Sequence, residues 1–322
     1  MIRFPALVMS LLLLLLTRSV TNAFSDQMTD NISKCRTLIP STICEVGPPK
    51  TAKDRFSLNR ECINGDVSRY NQMMIQAFDA FPAFLKARMC RVKRIYIEDE
   101  FMGAAWSAPI DEKKPTEFLI GLRKAELDAN LDLGPGRSWF EQQTFGNHIP
   151  YKVDSNLPQL EVKGPRKLTA TEFTLIHELG HTLDYEHEYS KSKSDPLFSQ
   201  SWTAISWNDI QDIKSDFDFP NRKSICLNHC NGKFIDPKLA DAFYKSLFDH
   251  GFISQLSATN AMEDFADSFA FYVAINYFYA SFKIKNNRKT SDLSSLIKNK
   301  SFELKRKYIQ NVVQNTLILP SP

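Results

Sequence analysis

The sequence contains no P-loop, no dinucleotide-binding fingerprint, no nucleophile elbow and no internal repeat. These absences remove the usual signatures of nucleotide-dependent enzymes, α/β-hydrolases and solenoids. After residue 23 there is also no apolar run of the ~20 residues that a membrane-spanning helix needs. The formal net charge of +3 is small for 322 residues, so no strong field favours a nucleic-acid partner. We therefore expect a globular protein with no nucleic-acid partner and no stable membrane anchor.

The first 23 residues have the pattern of a signal peptide. Arg3 supplies the charged region, Ala6 to Leu16 form an apolar core too short to cross a bilayer, and Thr21-Asn22-Ala23 is a small-residue cleavage site. Removal of Arg3 and Arg18 would lower the net charge from +3 to +1. The sequence predicts export, to the periplasm or the outside, after cleavage near Ala23.

All six cysteines follow this segment, and an even number in an exported chain indicates disulfides. Their clustering predicts bonds within an N-terminal set (Cys35, Cys44, Cys62 and Cys90) and one local bond between Cys226 and Cys230. The stretch from Cys226 to Cys230 contains His229 and also resembles a metal knuckle, but an oxidising compartment favours the disulfide.

The motif with the clearest chemistry is His177-Glu178-Leu179-Gly180-His181, an H-E-x-x-H pattern. Residues four apart lie on one face of a helix, so both imidazoles can bind the same ion. Thr169 and Glu172 form a capping-box pattern just upstream, which predicts that a helix begins there. Glu178 would accept the proton of a water that zinc activates, and would pass it to the leaving amine.

A third metal ligand is expected in addition to the two histidines, and the sequence offers two candidates for it. His187 follows His181 by six residues, which is the spacing of the metzincins. The glycine that lets those chains turn out of the helix is replaced here by Asp184. If the helix continues through Asp184, His187 lies off the ligand face.

The second candidate lies far downstream, in a helical pattern that begins after Asn260. Glu263 and Asp267 are one turn apart on the same face of this predicted helix. Glu263 could bind zinc, and Asp267 could accept the free ring N–H of a ligand histidine and so fix its tautomer.

The two segments together resemble a known group. H-E-x-G-H-x-x-D followed by T-N-x-x-E-x-F-A-x-x-F is similar to the gluzincin metallopeptidases, most closely to the catalytic domain of the anthrax lethal factor type and related bacterial secreted zincins. The resemblance covers roughly 100 residues between Thr169 and Phe271, with an unmatched insert. It implies zinc as cofactor, Glu178 as general base, and the remaining site residues as metal ligands (His177, His181, Glu263) and as partners of the histidines (Asp184, Asp267).

One position departs from the family pattern. A tyrosine ahead of the glutamate helix helps to stabilise the oxyanion in that family, and the matching stretch here contains Leu256, which cannot donate a hydrogen bond. Loss of one oxyanion donor typically costs 10²- to 10³-fold in rate. Tyr272, Tyr185 and His250 are the candidates to replace it.

The remaining pattern predicts an α+β fold, and the resemblance implies that this fold is zincin-like. Strands are predicted at Val92–Glu98, Gly103–Ala108 and Glu117–Leu122, and another at Thr144–Val153. Elsewhere the sequence predicts a loop-rich segment at 24–60, a helix at Val67–Met89 that Pro82 breaks, a turn or mobile loop at Asp132–Arg137, and helices at Pro237–Gly251, Asn260–Phe282 and Ser291–Gln314. The predicted division is a signal peptide at 1–23, an N-terminal lead-in and helix at 24–90, and a metallopeptidase domain at 91–322.

The sequence thus predicts an exported zinc endopeptidase that acts on peptide or protein substrates, which pair with the edge strand of a small mixed sheet. Two other classes are open. A zinc-containing binding or inhibitor protein with weak catalysis would fit Leu256, and an exported structural protein would carry the motif by chance.

Overall fold

The computed structural model describes residues 30–318, apart from 52, 64, 100–102, 228–229, 231, 233 and 287–288. The predicted signal peptide lies outside the described residues. The chain is a mixed α+β protein, as predicted. Its helices are α1 (30–42), α2 (Ser68–Ala80), α3 (Ala83–Met89), α4 (Lys124–Ala129), α5 (Leu133–Gln142), α6 (Ala170–His187), α7 (Thr203–Ser206), α8 (Ala240–Asp249), α9 (Ala261–Tyr277), α10 (Leu293–Leu296) and α11 (Glu303–Ile318). Its strands are β1 (Ile43–Val46), β2 (Val92–Glu98), β3 (Ala105–Pro109), β4 (Phe118–Arg123), β5 (Gln159–Lys163), β6 (Trp207–Asp209), β7 (Asp212–Ile213), β8 (Ser281–Asn286) and β9 (Lys289–Asp292).

The main sheet is mixed and has the strand order β1-β2-β4-β3. β1, β2 and β4 are parallel, whereas β3 pairs antiparallel with β4 and forms an edge. Short apolar runs rich in β-branched residues fit strands that are buried on both faces. The three strands predicted between residues 92 and 122 are confirmed within two residues at their ends. The edge strand β3 packs beside α6, so the sheet forms one wall of the region around the H-E-x-x-H motif.

The segment predicted to be loop-rich at 24–60 is instead partly regular. Residues 30–42 form α1, and β1 follows at once and pairs with β2. The prediction was wrong because short amphipathic pieces there gain their stability from tertiary packing, with Ile39 and Ile43 in the main core. The strand predicted at Thr144–Val153 was also wrong. A 3₁₀ turn ends at Gly146, which has a positive φ of 95°, and the strand forms later, at Gln159–Lys163.

The turn or mobile loop predicted at Asp132–Arg137 is the first half of helix α5. Its start is tied to the start of α6 by backbone hydrogen bonds from Leu133 to Leu168 and from Ala170 to Leu131. A Cβ atom at Gly136 would lie 2.6 Å from the Cβ of Ala170, so glycine lets the two helices meet. Glycine and proline indicated a turn, but Pro135 stands in the first helical turn, where its missing N–H costs nothing.

Pro82 separates α2 from α3, as predicted. Further along the chain two predicted helices are shorter than expected. The helix after Asn260 ends at Tyr277, because residues 281–286 pair as strand β8 with β5 and β9. The single helix predicted at Ser291–Gln314 is interrupted, and α11 begins only at Glu303.

Three disulfides join all six cysteines: Cys35 to Cys90, Cys44 to Cys62, and Cys226 to Cys230. The predicted N-terminal set and local pair are confirmed. The metal-knuckle alternative is wrong for the two cysteines, since their sulfurs are bonded to each other; His229 lies outside the described residues. Within the described parts of the chain, no helix is long and apolar enough to span a bilayer.

The C-terminal helix α11 is anchored to α9 by a buried ion pair. The Nζ of Lys305 lies 2.8 Å from Oδ2 of Asp264 and also donates to the carbonyl of Gly251, and both charged side chains are at most 1% exposed. The indole of Trp207 donates a further hydrogen bond to the same carboxylate. This pair fixes α9, which carries Glu263 beside Asp264.

We expect Lys305→Met to lower the free energy of unfolding by about 3–5 kcal/mol, because it leaves a buried carboxylate without its cation. The measurement is urea unfolding followed by fluorescence. Lys307→Met on the same helix is the matched control. Lys307 is 58% exposed and pairs with Glu303 across one turn, so its loss should cost less than about 1 kcal/mol. Equal losses in the two variants would contradict this assignment.

Candidate metal centre

Three side chains from two helices converge on one point. His177 and His181 come from α6, and Glu263 comes from the first turn of α9. The Nε2 atoms of the two histidines are 3.1 Å apart, and Oε2 of Glu263 lies 3.1 Å from Nε2 of His177 and 3.5 Å from Nε2 of His181. These are the three residues that the sequence nominated as metal ligands.

The spacing fits a tetrahedral ion. Zinc binds nitrogen and oxygen ligands at about 2.0–2.2 Å, so two ligand atoms at a tetrahedral angle lie about 3.3 Å apart. The three observed separations lie on either side of that value. Two imidazoles and one carboxylate also match the donor set of catalytic zinc sites, which keep a fourth position open. The residues present therefore fit zinc.

Local sequence places each ligand. Thr169 and Glu172 form the predicted capping box at the start of α6, and the side chain of Asn260 accepts hydrogen bonds from the first turn of α9. The two helices approach closely at Gly180. A Cβ atom there would lie 3.1 Å from Phe269 and 3.2 Å from the Cα of Ala266. The glycine inside the H-E-x-x-H motif thus allows α9 to bring Glu263 to the histidines.

Asp267 lies behind the first histidine, where it was predicted. Its Oδ1 is 3.0 Å from Nδ1 of His177, which leaves Nε2 of that ring for the metal. Its Oδ2 accepts hydrogen bonds from Arg137, at 2.9 Å, and from Ser254. Such a partner fixes the orientation and tautomer of a ligand histidine.

The electrostatics of the centre favour a bound cation. Burial opposes the charged form of His177, but its hydrogen bonds to Asp267 and Glu263 raise its pKa to about 10. Burial likewise opposes ionisation of Glu263, yet the adjacent His181 and His177 hold its pKa well below its usual range. Negative carboxylates thus surround the point at which the ligand atoms meet, and positive charge is stabilised there.

The metzincin alternative, with His187 as third ligand, is wrong. Helix α6 continues through Asp184, and the chain turns only at Glu188, which has a φ of 51°. His187 therefore lies off the ligand face. Its Nε2 is 3.8 Å from Glu186, and its ring contacts Tyr189. Without a left-handed residue at position 184, the chain cannot bring this imidazole back to the metal.

Asp184 does not form the hydrogen bond to a histidine that the resemblance implied. Its Oδ1 accepts the backbone N–H of Ser190 at 2.6 Å, in the turn that follows α6. Its Oδ2 and the Nδ1 of His181 are both buried, and neither has a hydrogen-bond partner in the part of the chain that the structure describes. Because α6 continues to His187, the Asp184 carboxylate lies beside the turn that follows the helix and accepts a hydrogen bond there.

The ligands lie in a cleft of about 330 Å³ between the edge strand β3, α5, α6 and the start of α9. Glu178 lines this cleft, and its buried Oε2 has no hydrogen-bond partner among the described residues. Burial raises the pKa of Glu178. A cleft-lining carboxylate with a raised pKa and an oxygen without a hydrogen-bond partner is suited to accept and release a proton.

Of the three residues proposed to replace the missing oxyanion donor, Tyr185 lines the cleft together with Leu256. Its hydroxyl is 3.2 Å from the carbonyl of Ser107 on β3, and burial raises its pKa, so the hydroxyl stays protonated. His250 instead bonds the carbonyl of Ser246, and Tyr272 does not line the cleft.

Sequence reasoning missed Arg137, Glu141 and Ser254. Arg137 bridges Asp267 and Glu141, and it was assigned to a loop because of the flanking glycines and proline. The four-residue spacing of Arg137 and Glu141 was the available signal, since it suits a helical ion pair.

Comparison of the chain with protein-family models, with curated proteins and with solved structures gives no match.

Proposed function

We propose that this protein is a zinc-dependent endopeptidase with a zincin-like fold of the gluzincin type. The observation that carries the proposal is the convergence of His177, His181 and Glu263 at tetrahedral ligand spacing in an open cleft. Glu178 lines the same cleft, and its Oε2 has no hydrogen-bond partner among the described residues. When bound, zinc would polarise the scissile carbonyl and lower the pKa of a water to about 7.

Each residue of the site has a separate role in the proposed reaction. His177, His181 and Glu263 hold the ion, and Asp267 orients His177. Glu178 takes a proton from the attacking water and delivers it to the amine that leaves. The Tyr185 hydroxyl donates its one hydrogen to the carbonyl of Ser107 in this structure. It would turn from there to donate to the carbonyl oxygen of the substrate as negative charge develops, and would so supply the donor that Leu256 lacks.

The proposed substrate is an extended peptide. Ala105, Trp106 and Ser107 of the edge strand β3 line the cleft, and an edge strand has unpaired backbone groups on one side. A peptide that adds to this edge would pass the metal centre with its carbonyl groups fixed by backbone hydrogen bonds. The three disulfides support export to an oxidising compartment.

Metal analysis and a cleavage assay test the proposal together. Protein purified without added metal should contain about one zinc per chain and should cleave members of a mixed peptide library. A chelator should abolish cleavage, and stoichiometric zinc should restore it. Zinc binding without any cleavage would favour the zinc-containing binding protein, and absence of zinc binding would favour the structural protein.

A further inference from the structure

We propose that the cleft contains a cation-selective subsite, in which Glu126 receives the side chain of a substrate lysine or arginine. The inference rests on the proposed peptidase function for its biological meaning. The subsite itself is a feature of the cleft and can be tested without turnover.

Glu126 lies on α4 and reaches the cleft next to the motif helix. Its Oε1 accepts a hydrogen bond of 3.0 Å from the hydroxyl of Thr174, and both residues line the cleft. Thr174 is one turn before Glu178 on α6, so the Glu126 carboxylate lies on the N-terminal side of the metal centre. A peptide bound at the metal would place a neighbouring side chain toward this carboxylate.

Aromatic side chains line the same cleft as Glu126. Trp139 and Tyr151 lie against each other with their ring centroids 4.4 Å apart and their planes tilted by 36°. The rings of Phe140 and Phe173 already carry the guanidinium of Arg137, so Trp139 and Tyr151 are the rings offered to a substrate side chain. The aliphatic stem of a lysine or arginine packs well on such rings, and the negative faces of the rings attract its charged end. A carboxylate among aromatic rings therefore suits a long cationic side chain better than a neutral or acidic one.

The charges around Glu126 are compatible with the binding of an added cation. Burial raises the pKa of Glu126 to about 7, and the nearby charge of Glu178 adds to this rise. The hydrogen bond from Thr174 and the charges of Arg123 and Arg137 act in the opposite direction. Arg137 is held by Asp267 and by Glu141, so its charge is compensated. A bound ammonium or guanidinium group would stabilise the ionised form of Glu126.

The first test compares cleavage of peptides that carry lysine or norleucine at each position around the scissile bond. We expect kcat/KM to be at least about tenfold higher with lysine at one position, because a hydrogen bond to a charged group typically strengthens binding by about that factor or more. Glu126→Gln keeps the size of the side chain and should remove the preference, whereas Glu112→Gln, on an exposed loop, should retain it. A lysine preference that survives in Glu126→Gln, or no preference in the wild type, would overturn the proposal.

The second test separates this inference from the peptidase proposal. Binding of N-acetyl-lysine methylamide to the purified protein is measured by calorimetry, with the norleucine analogue as the comparison. We expect the lysine compound to bind at least about tenfold more tightly, and Glu126→Gln to abolish the difference. Selective binding without zinc or cleavage would support the subsite while the peptidase proposal fails; cleavage without selective binding would do the reverse.

The binding measurement also has a predicted pH dependence. A carboxyl group with a pKa of about 7 is about one tenth ionised at pH 6 and about nine tenths ionised at pH 8. Lysine binding should therefore weaken about tenfold on going from pH 8 to pH 6. The Glu126→Gln variant should lose this dependence. Any titration of the histidines or of Glu178 would affect the wild type and the variant equally, so the difference between the two proteins reports on Glu126. The same pH dependence in both would contradict a role for Glu126.

Discussion

Replacing Glu178 by glutamine is expected to lower kcat for peptide cleavage by about 10²- to 10⁴-fold while the zinc content stays near one per chain. The amide has nearly the same size but cannot accept a proton from water, and general acid–base catalysis typically contributes this factor. The side chain lies in the cleft beside the three candidate ligands and is not one of them, so we expect metal binding not to require its charge. Zinc analysis and single-turnover cleavage on the same sample provide the measurement.

The interpretation of this result depends on the metal content. If Glu178→Gln loses zinc as well as activity, the carboxylate has a structural part in the site. If the variant keeps more than about a tenth of wild-type kcat, another residue moves the proton. Either result would remove the proton transfer assigned to Glu178, and the second would also weaken the peptidase proposal.

The second large effect is expected at the third ligand. Glu263→Gln and Glu263→Ala should weaken zinc binding by at least about 100-fold, since loss of even an outer partner of a ligand costs about 10- to 100-fold. Cleavage should fall in parallel at limiting zinc. Glutamine preserves the shape of the side chain, so a loss shared by both variants cannot be attributed to a packing defect. The measurement is competition for zinc with a fluorescent chelator.

His187→Ala is the matched control for the Glu263 variants. His187 is also an imidazole close to the motif in sequence, but it lies past the ligand face of α6 and contacts Glu186 and Tyr189. Zinc affinity of His187→Ala should equal that of the wild type. If His187→Ala lost zinc and Glu263→Ala retained it, the metal centre described here would be wrong.

The elements that could be predicted are those whose signals lie within a few residues of each other. The capping box of Thr169 and Glu172 and the four-residue spacing of the histidines define a helix with two ligands on one face. Strands β2, β3 and β4 of the main sheet and the break at Pro82 were predictable for the same reason.

The elements that could not be predicted depend on contacts with distant residues. The segment around Gly134-Pro135-Gly136 has the composition of a turn, but its pairing with residues 168–170 holds it beside α6 as a helix. The strand that follows α9 forms because it pairs with β5, about 120 residues earlier in the chain. Propensity is a weak prior, and such tertiary contacts override it.

The sequence by itself determined a capped helix that presents two imidazoles and a glutamate to one site, because helical periodicity is a local property of the chain. Only the tertiary structure decided which residues complete that site. The close approach of α6 and α9 at Gly180 brings together His177 and Asp267, which are 90 residues apart, and excludes His187. The cleft position of Glu126 and the support that Arg137 gives to Asp267 likewise depend on how separate helices pack, which no local pattern encodes.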